Sequence, residues 1–100
     1  MLIDDDADDN YYHQIILRKM DITDHIEVAE TGTEALDYLK KENQIPDIIF
    51  LDINMPGMSG WDFLDEYKKQ LEAFEIEWMS DIFLKFQNDT FLYSRWYKPI

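Results

Sequence analysis

Four consecutive apolar residues, Ile48, Ile49, Phe50 and Leu51, run directly into a single carboxylate, Asp52. A strand that is apolar at every position needs cover on both faces, which places it at the centre of a parallel sheet. A carboxylate at the end of such a strand is destabilised as an anion unless a cation or a hydrogen-bond donor compensates it. Asp52 is therefore either a helix cap or loop anchor, or part of a site. The stretch that follows, Asn54 to Gly60 with one proline and two glycines, reads as a loop.

The rest of the chain can be placed around that strand. Met1 to Ile3 reads as the end of a second buried strand. Tyr12, Ile15, Ile16 and Met20 recur at three- and four-residue spacing and predict an amphipathic helix over Asp8 to Met20. Asp8 and Asp9 sit at its start, where carboxylates favour the helix dipole. Ile26 and Val28 alternate with Glu27 as a short strand. Gly32 marks a turn, and a helix is expected from Thr33 through Lys41 with Ala35, Leu36 and Leu39 inward. Pro46 stops that segment. From Trp61 onward, Leu64, Tyr67 and Leu71 suggest a third helix.

After Leu71 no clear period remains. Glu75 to Met79 is read as a fourth strand, Asp81 to Phe86 as a short helix, and Phe91 to Tyr97 as a fifth strand. Strands alternating with helices imply an α/β fold, a doubly wound parallel five-stranded sheet with right-handed crossovers. Ligands in such sheets bind at the carboxyl ends of the strands. Asp4-Asp5 and Asp52 both fall at ends of that kind.

At 100 residues the chain makes one domain, residues 1–100. Its net charge of −13 argues against direct contact with nucleic acid, whose phosphates it would repel. The absence of cysteine excludes disulfides and thiolate chemistry. No apolar run approaches the roughly 20 residues that span a bilayer, and no signal-peptide pattern opens the chain. A cytoplasmic location is the default reading.

The acidic cluster near the start, Asp4, Asp5, Asp6, Asp8 and Asp9, is either a solvated turn or a metal site. If Asp4 and Asp5 end the strand beside Asp52, three carboxylates converge. At about 4 Å each like-charged pair costs on the order of 4 kcal/mol at an effective dielectric near 20. A magnesium ion, which takes a few carboxylates plus water, is the natural counter-charge.

On these residues a resemblance rests. "LIDDDADDN" resembles the acidic-pair segment of response-regulator receiver domains, and "PDIIFLDINMPGMSGWDFL" the strand, phosphoacceptor and following loop of the same family. "ETGTEALDYL" is similar to the opening of its second helix, and the terminal "KPI" to its closing lysine–proline. The resemblance implies a flavodoxin-like receiver fold in which Asp52 takes a phosphoryl group from a phosphohistidine or a small acyl phosphate. It implies Mg2+ held by Asp4, Asp5 and Asp52 and by the backbone carbonyl of Asn54, with Asp5 the more direct of the first pair. Lys98 would pair with the phosphoryl oxygens, aimed by a cis peptide at Pro99, and Ser80 would hydrogen-bond the phosphoryl group in preference to Thr90 or Ser94. The implied partner is a sensor histidine kinase or a histidine phosphotransfer protein, with a homodimer open. Such a domain is no enzyme beyond its own phosphorylation and dephosphorylation.

The chain departs from the family pattern in its last third. Glu75, Glu77 and Trp78 are poor for a buried strand, and Arg95 stands where the family has a switch aromatic. The chain opens within the first strand and ends at the lysine–proline, so the family's last helix is expected to be missing. His13 and His25 read as surface residues. Two rivals fail on spacing. A haloacid-dehalogenase-type phosphatase wants an Asp where Asn54 stands, and a calcium loop counted from Asp4 would need Gly at Asp9 and Glu at Ile15. A receiver-like interaction module without a phosphorylation switch remains the alternative.

Overall fold

A computed structural model describes the backbone of residues 1–42, 45–73, 76–87 and 90–99, and the side chains of residues 1–41, 45–73 and 90–92. Strand β1 (Leu2–Ile3) leads into helix α1 (Ala7–Met20), β2 (Val28–Ala29), α2 (Gly32–Glu42), β3 (Ile49–Asp52) and α3 (Gly60–Ala73). Two long strands follow, β4 (Ile76–Gln87) and β5 (Thr90–Pro99). They form one sheet in the order β2-β1-β3-β5-β4.

The first three strands are parallel, with β1 between β2 and β3. Ile49, Phe50 and Leu51 of β3 are buried, as an apolar run between two covered faces requires, and so is the terminal Asp52, whereas Ile48, expected within the strand, precedes it and is exposed. Helices cover both faces. Ile3, Ala29, Ile49 and Leu51 pack with Ala35 and Leu39 of α2 and with Phe63, Tyr67 and Leu71 of α3. Leu2 and Phe50 point the other way and meet Leu17 of α1, with Leu92 of β5 packed alongside. Successive strand residues face opposite sides, so this alternation also fixes where the carboxylates beyond each strand point.

Local chemistry sets the helix boundaries. Asp6 caps α1 by accepting from the N–H groups of Asp8 and Asp9, and Asp21 ends it in the left-handed region at φ 53°. Thr31 accepts from the N–H of Glu34 at the start of α2. Ser59 and Asp62 exchange reciprocal bonds at the start of α3, each backbone N–H held by the other's side chain.

The phase of α1 differs from expectation. Its buried face is Asn10, His13 and Leu17, whereas Tyr12 and Met20 are exposed. The polar residues turn inward because Asn10 donates from Nδ2 to the carbonyl of Asp4 at 2.8 Å, which locks the first turn against the end of β1. His13 is thus a buried residue and not a surface one, while His25 is exposed and pairs with Glu27.

The C-terminal part departs most from the expected parallel sheet. Asp81 to Phe86 is not a helix but the middle of β4, and β5 runs antiparallel to both β3 and β4. A parallel neighbour would need a crossover of a dozen or more residues, and only residues 88 and 89 separate the two strands. A six-residue helix is marginal, and Ile82, Phe83 and Phe86 favour strand. No cis peptide bond occurs among the described residues, so the one implied at Pro99 finds no support. No helix among them is long and apolar enough to cross a membrane.

Candidate functional site

The row of residues facing α1 ends in the site. Leu2 and Phe50 lie on that face, and two residues further along each strand come Asp4 and Asp52. The backbone of Asp4 is tied to the sheet by its N–H donating to the carbonyl of Ala29 at 3.1 Å. Its side chain is buried and accepts from the N–H of Asp6 at 3.0 Å. Asp52 is buried too, and one of its oxygens accepts from the N–H of Asn54 at 3.1 Å. Asp5 is exposed at the mouth. Oxygens of Asp4, Asp5 and Asp52 all come within 4.8 Å of one another.

This arrangement is electrostatically unfavourable by itself. Burial pushes the Asp52 carboxyl up from 3.8 to about 7, the Asn54 N–H works against that shift, and the charges of Asp4 and Asp5 add to it. Burial also raises Asp4, against the opposing effect of its bond from Asp6. All the donors are hard carboxylate oxygens, a set suited to a cation such as Mg2+. The convergence anticipated from Asp4-Asp5 and Asp52 is therefore present in the fold.

The loop after β3 is held close beneath Asp52. Met55 is buried in the core and Gly57 takes φ +78°. Gly60 donates its N–H to the carbonyl of Ile53 at 3.0 Å. A Cβ at Gly60 would lie 2.7 Å from the Asp52 carbonyl oxygen and 2.9 Å from the Ile53 Cα. These are backbone atoms that cannot swing away. Gly60→Ala is expected to destabilise the fold by roughly 1–3 kcal/mol, with urea denaturation as the measurement. Stability within 0.5 kcal/mol of wild type, about the scatter of surface substitutions, would show that the loop yields freely.

Ser80 and Lys98 are not brought to this group. β5 starts beside the site, with Thr90 opposite Asp52, and runs away from it. Trp96, opposite Ser80, lies roughly 20 Å along the strand from Thr90, and Lys98 roughly 26 Å, at about 3.3 Å per residue. Their side chains lie outside the described residues, as does that of Arg95. The register instead supplies Thr90, which is buried. Directly opposed residues of an antiparallel pair share a face, with Cβ atoms about 5 Å apart. Thr90 thus stands on the Asp52 side of the sheet. Its sequence signal was the four-residue interval Gln87 to Thr90, with Asn88 and Asp89 at its centre, between strand-forming runs, Phe83 to Phe86 and Phe91 to Tyr93, a spacing compatible with a hairpin.

The model of the response regulator receiver domain matches residues 1–83. A sensor histidine kinase CheAY of Helicobacter pylori is 38% identical over 69 residues, covering 69% of this chain and 8% of that protein. A protein-glutamate methylesterase/protein-glutamine glutaminase of Treponema denticola is 35% identical over 71 residues, 70% of this chain and 18% of that protein. A transcriptional regulatory protein MctR of Rhizobium johnstonii is 38% identical over 58 residues, 57% and 27%. The matched segment thus spans less than a third of the length of each of these relatives. No solved structure gives a significant match. With the family model covering the apolar strand, its terminal aspartate and the acidic pair beside it, this chain belongs to the response regulator receiver domain family.

Proposed function

We propose that this chain receives a phosphoryl group from a phosphohistidine onto Asp52 and signals through a partner protein. The observation that carries the reading is the convergence of Asp4, Asp5 and Asp52 oxygens within 4.8 Å at the end of the central strand. A carboxylate oxygen of Asp52 attacks phosphorus while the P–N bond to the donor imidazole breaks and its electron pair returns to the ring nitrogen. Such transfer depends on in-line positioning and charge neutralisation more than on covalent work by the protein. The Asn54 N–H fixes one oxygen of Asp52 and leaves the other for attack. Asp4, Asp5, Asp52 and the Asn54 carbonyl would hold Mg2+, which when bound supplies neutralising charge. The donor is a sensor histidine kinase or a histidine phosphotransfer protein, and the setting is the cytoplasm. The domain acts on no other substrate.

In this reading Thr90 is the hydroxyl nearest the phosphoryl group, and Ser80 and Lys98 contribute only after the C-terminal strands repack. Thr90→Ala is expected to slow phosphorylation about tenfold, the effect of one lost hydrogen bond to a charged group. Single-turnover rates with acetyl phosphate and Mg2+ measure it, and an unchanged rate removes Thr90 from the site.

A second reading, a receiver-like interaction module without a switch, is favoured by the remote register of Lys98. Incubation with acetyl phosphate and Mg2+ followed by intact mass decides between the two. Gain of one phosphoryl group supports the switch. A folded protein of unchanged mass supports the module.

A further inference from the structure

Strand β4 is the last in the sheet order and is hydrogen-bonded to β5 alone among the described strands. It runs for 12 residues, while β3 engages only the first part of β5, Thr90 to Tyr93. Long open edges are templates for another strand, and proteins normally blunt them with bulges, proline or charge. Here the irregularities fall between Trp78 and Ser80 and between Lys85 and Gln87. They bracket a regular run, Ser80 to Lys85, that contains neither proline nor glycine.

We propose that this run pairs antiparallel with the same run of a second copy, making the β4 edge a two-fold dimer interface. A two-fold axis sets one residue opposite itself and the others in symmetric pairs. With Asp81 at the axis, like charges meet and only Ser80 and Ile82 pair beside them. With Ile82 at the axis, Asp81 falls opposite the partner's Phe83 and Lys85 has no place in the pairing. With Phe83 at the axis, Asp81 falls opposite the partner's Lys85 on both sides, and Ile82 opposite the partner's Leu84. Opposite-charge and apolar cross-strand pairs stabilise a sheet and like charges destabilise it. The Phe83 register alone gives both favourable kinds, and this self-complementarity identifies the occupant as a second copy. The proposal does not depend on phosphorylation.

Sedimentation equilibrium of the full chain is expected to show a dimer. Lys85→Asp sets like charges opposite each other across the axis, while its neighbour within the hairpin is the uncharged Phe91. It should weaken the dimer at least tenfold, roughly the effect of reversing two cross-strand pairs. Because the chain has no cysteine, Phe83→Cys should give a disulfide-linked dimer on oxidation. Gln87→Cys, whose counterpart would lie roughly 26 Å away along the strand, should not. Circular dichroism checks that each variant is folded, and Lys85→Asp decides if Phe83→Cys is not. A monomeric wild type, a dimer indifferent to Lys85→Asp, or equal cross-linking at both positions overturns the proposal.

Discussion

Asp52→Asn is expected to abolish covalent phosphorylation while making the metal-free protein more stable. The two effects have one origin. The carboxylate that attacks phosphorus is also the one whose charge is least tolerated, pushed up to about 7 by burial and by Asp4 and Asp5. An amide carries no such charge and is a far weaker nucleophile, yet its oxygen can still accept from the Asn54 N–H as the carboxylate does at 3.1 Å. Geometry is kept and repulsion is removed. Above pH 7 the gain should be on the order of 2 kcal/mol, about half of what the displacement from 3.8 to about 7 amounts to at about 1.4 kcal/mol per unit, because solvent at the mouth of the site screens the charge. Intact mass after acetyl phosphate treatment reads the first effect and denaturant unfolding the second. Phosphoryl uptake by Asp52→Asn equal to wild type would place the acceptor elsewhere. A destabilised variant would mean that its carboxylate is compensated by something other than the neighbours seen in the fold.

The site was more legible in the sequence than the sheet that completes it. Asp52 could be read because a wholly apolar strand has no use for a terminal charge, and Asp4 because the same argument applies to Leu2 and Ile3. These are local signals. The phase of helix α1 escapes the hydrophobic pattern because its inward face includes the polar residues Asn10 and His13, the first of them held by the carbonyl of Asp4. In the last third the strand expected over Phe91 to Tyr97 lies within β5, and the errors, a helix over Asp81 to Phe86 and a parallel pairing, have a different reason. In β4 the charges Glu77, Asp81 and Lys85 do fall at alternate positions to Ile76, Trp78, Ile82, Leu84 and Phe86, but Met79 and Phe83 sit among the charges and Ser80 among the apolar residues, which blurs the two-residue period. Its pairing is settled by β5, a partner distant from the motif that was recognisable. The family resemblance then pulled Ser80 and Lys98 toward the pocket, whereas the observed register brings Thr90 there.

Magnesium should stabilise this protein strongly at neutral pH and little in acid, and the sign follows from Asp52. Its pKa rises from 3.8 to about 7 in the folded chain. Below about pH 4 both folded and unfolded states hold the proton, and the native state has its full advantage. Between about pH 4 and 7 the unfolded chain releases the proton first, so the folded state binds more protons and stability falls as pH rises. Above about 7 both states are ionised, and the cost of a buried, crowded anion is fully present. Asp4, also raised by burial, adds a loss of the same sign. A divalent cation held among Asp4, Asp5 and Asp52 favours their ionised forms and cancels that loss. At tenfold excess over its Kd the ion contributes about 1.4 kcal/mol, a rise in melting temperature of roughly 6–11 °C for a domain of this size. At pH 8 that rise should appear in full, and at pH 4.5 protons compete for the same oxygens and should largely erase it. Asp5→Ala removes the exposed ligand at the mouth and should abolish the rise at pH 8 while leaving the metal-free protein at least as stable as wild type. Thermal melts with and without Mg2+ at the two pH values test this directly. A wild-type melting temperature indifferent to Mg2+ at pH 8 would reduce the cluster to a solvated turn, whereas an equal rise at both pH values would place the ion away from Asp52.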